Sequence, residues 1–559
     1  MMGILRCAKD MLLVLLSSAA TVLSFPDHDW SLLAWGALVP LLLVIRRKPP
    51  GMGFVIATVW GMGFISGVFH WITHVPAYSW LHHALLILCF SLPFGFLGLA
   101  FTIANRNWGM VPALASVPFF WVSVEYLRSN LSFLSLPWAL LAHTQYRHPA
   151  VIQWASMTGA WGITFLICLV NAAVAAVLAG ILNSGLWRHS REIDGGSMRS
   201  VFQLTGVAVL AMLLLLLPAH MEPSGIEGSR NIKVSLIQAN IPQESKWDPA
   251  HAASIMEVYS ELTRSAGLEK PHIIVWPETA TPRSVTQDPD LFRQVQYLAK
   301  ETGAWILLGS SQEQKFQGRE VKGLHHTNSA FLIDPEFKTP HLQRYDKMRL
   351  LPFGEYLPLK GIIPWAWIHV PDVQGYAPGR EPLVFDAGGF RFGTTICWEN
   401  IFPEMARHLV GKGARCIVNI TNEAWFGETA APYQFLAMSV FRAVENRVHV
   451  IRCANTGVSC IIDPEGRIQR RLADASGRDV FVRGVLTDVI ATEPAESLYS
   501  RMGDWFAVMS VLVSAYLILF SAGRKGKSFP DGASAPFEPP SNVHPSCNSA
   551  SGRHAFHAH

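Results

Sequence analysis

Thr395-Ile396-Cys397-Trp398-Glu399 closes an apolar run and leaves a thiol at its end. Two distant segments close in the same way, Ile274-Val275-Trp276-Pro277-Glu278 and Tyr345-Asp346-Lys347. Together they offer one thiol, one carboxylate and one ammonium. Cysteine is a strong nucleophile only as thiolate, so it needs a base and nearby positive charge. Glu278, Lys347 and Cys397 are the candidates for those jobs. Taken singly, each has a plainer reading: a core cysteine, a surface glutamate, a solvated lysine beside Arg344 and Arg349.

The surroundings of the three segments set the fold class. Between 230 and 490 short β-rich runs alternate with helical stretches. Strands are expected at 232–238, 272–276, 305–310, 328–333, 391–397, 415–421, 448–454, 458–463 and 481–487. Helices are expected at 250–267, 290–302, 401–411 and 432–446. That alternation predicts an α/β layered domain. Pro277, Pro352, Gly354, Pro358 and Gly427 mark loops beyond strand ends, where functional groups tend to sit.

Outside this block the chain changes character. Half of the 559 residues are hydrophobic and 15% are charged, with a mean hydropathy of +0.25. This balance suits a polytopic membrane protein with a water-facing part. A net charge of +4, with no basic run interleaved with aromatics, argues against nucleic acid as a partner. The eight cysteines include no CxxC and no zinc-ligand spacing.

Apolar stretches near the ~20 residues that cross a bilayer occur at about 10–25, 30–45, 52–74, 83–104, 109–127, 160–183, 201–219 and 504–522. The first resembles a signal peptide, but Ser24-Phe25-Pro26 is a poor cleavage site and a retained span is expected. Basic residues in the short loops lie mostly on one side: Arg6, Lys9, Arg46, Arg47, Lys48, Arg106, Arg188, Arg191, Arg199, Arg524, Lys525 and Lys527, against Arg128 and Arg147 on the other. The positive-inside rule then puts both termini in the cytoplasm. The expected division is a seven-span domain over 1–219, a catalytic domain over 220–503 in the periplasm, an eighth span over 504–522, and a cytoplasmic disordered tail over 523–559. Glu125, at the end of the fifth span, reads either as functional or as a snorkelling interfacial group. The aromatic loop 129–159 reads as an interfacial or re-entrant segment beside a lipid entrance.

The Glu278–Lys347–Cys397 order, with Trp-Pro-Glu, Tyr-Asp-Lys and Ile-Cys-Trp-Glu around it, resembles the nitrilase (carbon–nitrogen hydrolase) superfamily. Gln238-Ala-Asn-Ile-Pro-Gln, Lys246-Trp247-Asp248-Pro249, Asn422-Glu-Ala-Trp-Phe-Gly427 and Asn455-Thr-Gly-Val-Ser459, on eight spans, narrow the resemblance to its membrane-embedded branch, the apolipoprotein N-acyltransferases. It extends over about residues 10–522. Three positions depart from what that family often carries: Trp398, Glu423 and Phe435.

The resemblance implies a four-layer αββα domain and no metal or organic cofactor. It further implies Glu278 as general base, Lys347 as stabiliser of thiolate and oxyanion, and Cys397 as nucleophile. The acyl donor would be a phospholipid, phosphatidylethanolamine being the expected one, attacked at its sn-1 ester. The acceptor would be the α-amine of the diacylglyceryl-cysteine of an apolipoprotein, in a bacterial inner membrane. Glu355 is a further carboxylate that either orients Lys347 or forms a loop ion pair. Glu399 reads as support for the turn after the nucleophile. Asn328, Trp247, Trp398 and Trp425 are pocket or lid candidates, with core packing the rival for each. The closest alternative is a membrane-tethered amidase or nitrilase acting on a small amide, with water as acceptor. A transporter with a periplasmic binding domain predicts broken, polar mid-membrane helices, of which these spans show little.

Overall fold

The computed structural model describes residues 2–76, 78–183, 195–215, 230–317, 322–339, 341–370, 375–492 and 496–523. The expected tail from 524 onward, the last residues of the seventh stretch and the loop carrying Arg188 and Arg191 lie outside them.

Among the described residues twelve strands form two six-stranded sheets. The first holds β1 (Arg230–Gln238), β2 (Ile273–Val275), β3 (Trp305–Gln317), β4 (Lys322–Ile333) and β5 (Gln343–Asp346). The second holds β6 (Val384–Ala387), β7 (Phe390–Ile396), β8 (Cys416–Thr421), β9 (His449–Ala454), β10 (Cys460–Ile462) and β11 (Ile468–Arg471). The last strand, β12 (Gly484–Thr492), returns to the first sheet, giving the orders β12-β1-β2-β3-β4-β5 and β11-β10-β9-β8-β7-β6. Inner strands pair in parallel, β1 with β2, β2 with β3, β7 with β8 and β8 with β9.

The period of two along each strand makes the layers. Val234, Leu236, Ile273, Val275 and Leu307 turn inward and join the core of the second sheet. Ile237, Ile274, Ile306 and Leu308 turn outward beneath the helices Ala252–Gly267 and Pro289–Thr302. Pro403–Gly411 and Ala431–Asn446 cover the other sheet. This is the expected αββα order. The Cys453 thiol reaches across the middle, donating to the carbonyls of Ile237 (3.4 Å) and Val275 (3.2 Å). Cys453 and Cys460 are both free thiols.

Among the described residues, four helices are long and apolar enough to cross a membrane: Pro50–Val68, Trp80–Trp108, Met110–Ser129 and Ala160–Leu182. Pro50–Val68 and Trp80–Trp108 meet through small residues. A Cβ on Gly98 would stand 2.4 Å from the Gly53 carbonyl oxygen. The stretch 30–45 is not a continuous span. It breaks into a 3-10 turn, Ser31–Trp35, and a short helix, Val39–Ile45. Gly36 and Pro40 interrupt the helical ladder. The freed backbone groups find partners on neighbouring helices: Asn171 accepts from Leu38 N–H (2.9 Å) and donates to the Ala34 carbonyl (2.8 Å), and Ser17 donates to the Ala37 carbonyl (2.5 Å). Such a break is tolerable at membrane depth only with satisfaction of this kind.

The loop 129–159 is not an open interfacial segment. Trp138 to Tyr146 are buried, and 3-10 and helical turns pack the loop against Ala431–Asn446. Glu125 does not snorkel. It is buried and accepts from Trp121 Nε1 (3.1 Å), Leu141 N–H (2.9 Å) and the Thr164 hydroxyl (2.9 Å).

One side chain joins the two halves at their centre. Gln434, on Ala431–Asn446, accepts from the indoles of Trp71 (3.1 Å) and Trp138 (2.7 Å). It donates to the carbonyls of Pro26 (3.2 Å) and Val68 (3.1 Å). Three of the partners lie in segments between the apolar helices, and Val68 is the last residue of Pro50–Val68.

Candidate active site

Glu278 leaves the end of β2 through Pro277 and Thr279, the latter in the left-handed region at φ +44°. The strand end lies tight against β3. A Cβ on Gly309 would come within 2.7 Å of Glu278 Cα and 2.6 Å of Thr279 N, so only glycine fits there. The carboxylate is buried and fully engaged. Oε1 accepts from Asn328 Nδ2 (2.7 Å) and lies 3.5 Å from Lys347 Nζ, while Oε2 accepts from Asn422 N–H (2.8 Å).

Lys347 follows β5 and is 1% exposed. Its N–H donates to the Asn328 carbonyl (2.8 Å), and its Nζ donates to Glu355 Oε1 (2.8 Å). Burial opposes its charge, but the Glu355 and Glu278 carboxylates outweigh that and hold the ammonium above the usual lysine range. Asn328 Nδ2 also reaches Glu355 Oε1 (3.2 Å), and Glu355 Oε2 accepts from Leu351 N–H (2.7 Å).

Cys397 sits immediately after β7 with φ +55°, opening the 3-10 turn Cys397–Ile401. A non-glycine residue there stores strain, and the neighbourhood holds it. Glu399 Oε2 accepts from Ile396 N–H (2.8 Å), and Asn419 Nδ2 donates to the Cys397 carbonyl (3.2 Å). Burial first, then the Glu278 and Glu355 charges, push the thiol up to about 12, while Lys347 pulls it down. The Thr421 hydroxyl, without another partner among the described residues, faces the sulfur. The resting group is therefore a thiol within electrostatic range of a carboxylate that can take its proton.

The remaining sequence candidates separate. Asn328, Glu355 and Glu399 lie in this network. Trp398 is buried, stacks edge-on against Phe402 (5.0 Å) and donates Nε1 to the Arg349 carbonyl (2.5 Å), away from the thiol's polar partners. Trp247 and Trp425, 47% and 45% exposed, make no hydrogen bond to Glu278, Lys347 or Cys397 among the described residues. The three departures fall into two places. Trp398 is the first. Glu423 and Phe435 share the second: buried Arg452 pairs with Glu423 and lies over the Phe435 ring at 5.5 Å.

Sequence reasoning missed two side chains. Lys246, 2% exposed, donates Nζ to the Glu278 carbonyl (2.9 Å) and lies within electrostatic range of Cys397. Burial brings it down to about 8. Its signal was its place in Lys246-Trp247-Asp248-Pro249, where the tryptophan drew attention instead. Asn419 lies inside β8, where nothing in the pattern marks it. Among the described residues no group of three His, Cys, Asp or Glu side chains is placed to hold a metal ion.

Residues 233–489 match the carbon-nitrogen hydrolase family, the class that the paired sheets and the cysteine turn define. Residues 17–173 match the apolipoprotein N-acyltransferase N-terminal domain. The chain belongs to the apolipoprotein N-acyltransferase family of membrane-associated acyltransferases. A relative of that name from Geobacter metallireducens is 36% identical, over 92% of this chain and 96% of its own length. Another from Allorhizobium ampelinum is 31% identical over 84% of each chain. Among solved structures, a CN-hydrolase superfamily protein from Xanthomonas campestris is 19% identical and covers 54% of this chain and 98% of its own, with a TM-score of 0.34.

Proposed function

We propose that this protein transfers an acyl chain from a phospholipid, through a thioester on Cys397, to the α-amine of the diacylglyceryl-cysteine that begins an apolipoprotein. The observation that carries this is a buried Glu278–Lys347–Cys397 site in a domain bonded, through Gln434, to a bundle of apolar helices.

In the first half-reaction the Cys397 proton passes to Glu278 and the sulfur attacks the sn-1 ester carbonyl. Lys347 donates to the oxyanion that develops. The ester C–O bond breaks, and Glu278 returns the proton to the departing lysophospholipid alkoxide. In the second, the acceptor amine attacks the thioester and gives its proton to Glu278. The C–S bond breaks, the N-acylated lipoprotein leaves, and the proton returns to sulfur. Asn328 and the Asn422 N–H orient Glu278, and Glu355 orients Lys347. Phosphatidylethanolamine is the proposed donor.

The site faces the periplasm of a bacterial inner membrane, with both termini cytoplasmic. Loop charges support this orientation. The catalytic block lies within 220–503 and the apolar segments within 1–219 and 504–522. Membrane anchoring suits both substrates, because lifting a chain into water costs ~0.8 kcal/mol per CH₂.

Mass spectrometry of the purified protein after incubation with phospholipid tests the scheme. An acyl mass on the Cys397 peptide, discharged by a diacylglyceryl peptide, is expected. Ammonia release from a small amide, with no lysophospholipid formed, would overturn it.

A further inference from the structure

A polar cleft of about 350 Å³ lies between the end of helix Met110–Ser129 and the catalytic domain. One wall carries Ser129, Asn130, Ser132 and Ser135, on the helix end and the turn that follows. The facing wall carries Arg349 and Glu404. Phe133, Tyr356 and Phe402 complete it. This cleft is separate from the triad and is unlike the larger apolar cavity between helices Ala160–Asn183 and Gly195–Leu215, which valines and leucines line.

Its chemistry is specific. Arg349 and Glu404 bring one charge of each sign to the same wall, 2.9 Å apart, with the guanidinium over the Phe402 ring at 5.2 Å. Both charged side chains remain in part open to solvent, 47% and 25%. The hydroxyls of Ser132, Ser135 and Tyr356 make no protein hydrogen bond among the described residues, so they are available as donors. Arg349 and Glu404 are bonded to each other, and a ligand with one phosphodiester and one primary ammonium, a few bonds apart, matches the exposed remainder of both charges and the hydroxyls. Guanidinium and hydroxyls suit the phosphodiester, and the glutamate suits the ammonium.

The position is also specific. The cleft opens where an apolar helix ends, with Leu127 and Leu131 exposed beside it. That is the level at which a bilayer passes from acyl chains to headgroups. Arg349 is two residues beyond Lys347. Its N–H donates to Glu399 Oε1 (3.0 Å), and its carbonyl accepts from the indole of Trp398, the residue next to Cys397. The cleft is therefore fixed to the backbone that carries the nucleophile and its ammonium. A glycerophospholipid whose headgroup lies in the cleft has its glycerol esters between headgroup and chains.

We propose that this cleft is the headgroup site of the acyl donor, reading the phosphodiester with Arg349 and a primary ammonium with Glu404. The inference rests on the acyl-transfer reading above. The test uses the full chain in detergent and measures acyl mass on the Cys397 peptide over time. The donors are phosphatidylethanolamine, phosphatidylglycerol, and the headgroup-free ester p-nitrophenyl palmitate. For Glu404→Gln, the rate ratio of phosphatidylethanolamine to phosphatidylglycerol should fall about tenfold, as expected for one charge-assisted hydrogen bond. For Arg349→Ala, the ratio of either phospholipid to the headgroup-free ester should fall, and Arg349→Lys should recover part of it. Ratios that stay at the unaltered protein's values overturn the cleft assignment, as does equal slowing with all three donors, which marks a structural role. An unaltered protein that acquires no acyl mass from any donor overturns the acyl-transfer reading itself.

Discussion

The Tyr345 hydroxyl donates to both carboxylate oxygens of Glu399, at 2.8 and 2.9 Å. Tyr345 is on β5 of one sheet and Glu399 follows β7 of the other, so the bond spans the two sheets. Glu399 also accepts from the N–H groups of Met348 (2.7 Å), Arg349 (3.0 Å) and Ile396 (2.8 Å). One buried carboxylate therefore sets the lysine segment and the cysteine turn in fixed relation.

Every group around Glu399 is a donor, so an amide at that position presents its NH₂ to another donor. Glu399→Gln should destabilise the protein by about 1–3 kcal/mol and slow acyl-enzyme formation more than Tyr345→Phe, which removes a single donor. Thermal unfolding together with the rate of Cys397 acylation checks this. Equal rates in the two variants would remove the positioning role.

The Cys397 thiol sits high because of burial and the carboxylates that face it, Glu278 before Glu355. Glu278→Gln should therefore lower the pH at which iodoacetamide alkylates Cys397, although it abolishes transfer. Lys347→Met should move the same midpoint upward. A pH series of alkylation, followed by mass spectrometry, reads both signs; shifts in the opposite directions would refute the electrostatic account.

Lys246 is held near 8 by burial, against the Glu278 and Cys397 charges. Its charge beside the site is present below that pH and lost as pH rises through it. Acylation by the unaltered protein should decline through about pH 8 if that charge assists the reaction. Lys246→Met, with no proton to lose, should be slower at pH 7 and lack that limb of the profile. A retained limb would assign it to another group.

Replacing Gln434 by Leu keeps the bulk and strands two indole N–H groups and two carbonyls. Each buried unpaired group costs about 1–3 kcal/mol, so the variant should unfold at a lower temperature and be cut sooner by protease within 26–71. Unfolding by circular dichroism and limited proteolysis of the full chain test this. A variant as stable as the parent would mean water replaces the glutamine.

Most of the layered domain was legible because its inner strands are continuous apolar runs bounded by turn residues. All nine expected strands are present, some with shifted ends. The three that escaped notice, β5, β6 and β11, are edge strands of four residues. An edge strand such as Gln343-Arg344-Tyr345-Asp346 is buried on fewer sides and carries no clear hydrophobic pattern. Glu278 and Cys397 were legible as candidates at expected strand ends and Lys347 from its Tyr-Asp-Lys segment, but not the partners that surround them. Asn422 acts on Glu278 through its backbone N–H, and Lys246 through a long side chain reaching a carbonyl, contacts that residue type alone does not encode. The break at 31–45 was hidden for a related reason: composition reports apolarity, and the groups freed at Gly36 and Pro40 are satisfied in part by Asn171, more than a hundred residues away.

Helix Ala431–Asn446 has nearly every residue buried, since one side lies on the second sheet and another on the membrane loops. The two family matches, 17–173 and 233–489, divide the sequence neatly, but this helix belongs to both bodies. Cutting the chain between them would expose the face of this helix that the membrane loops cover. The loops bearing Trp247 and Trp425 lie outside this shared helix, with both indoles about half exposed.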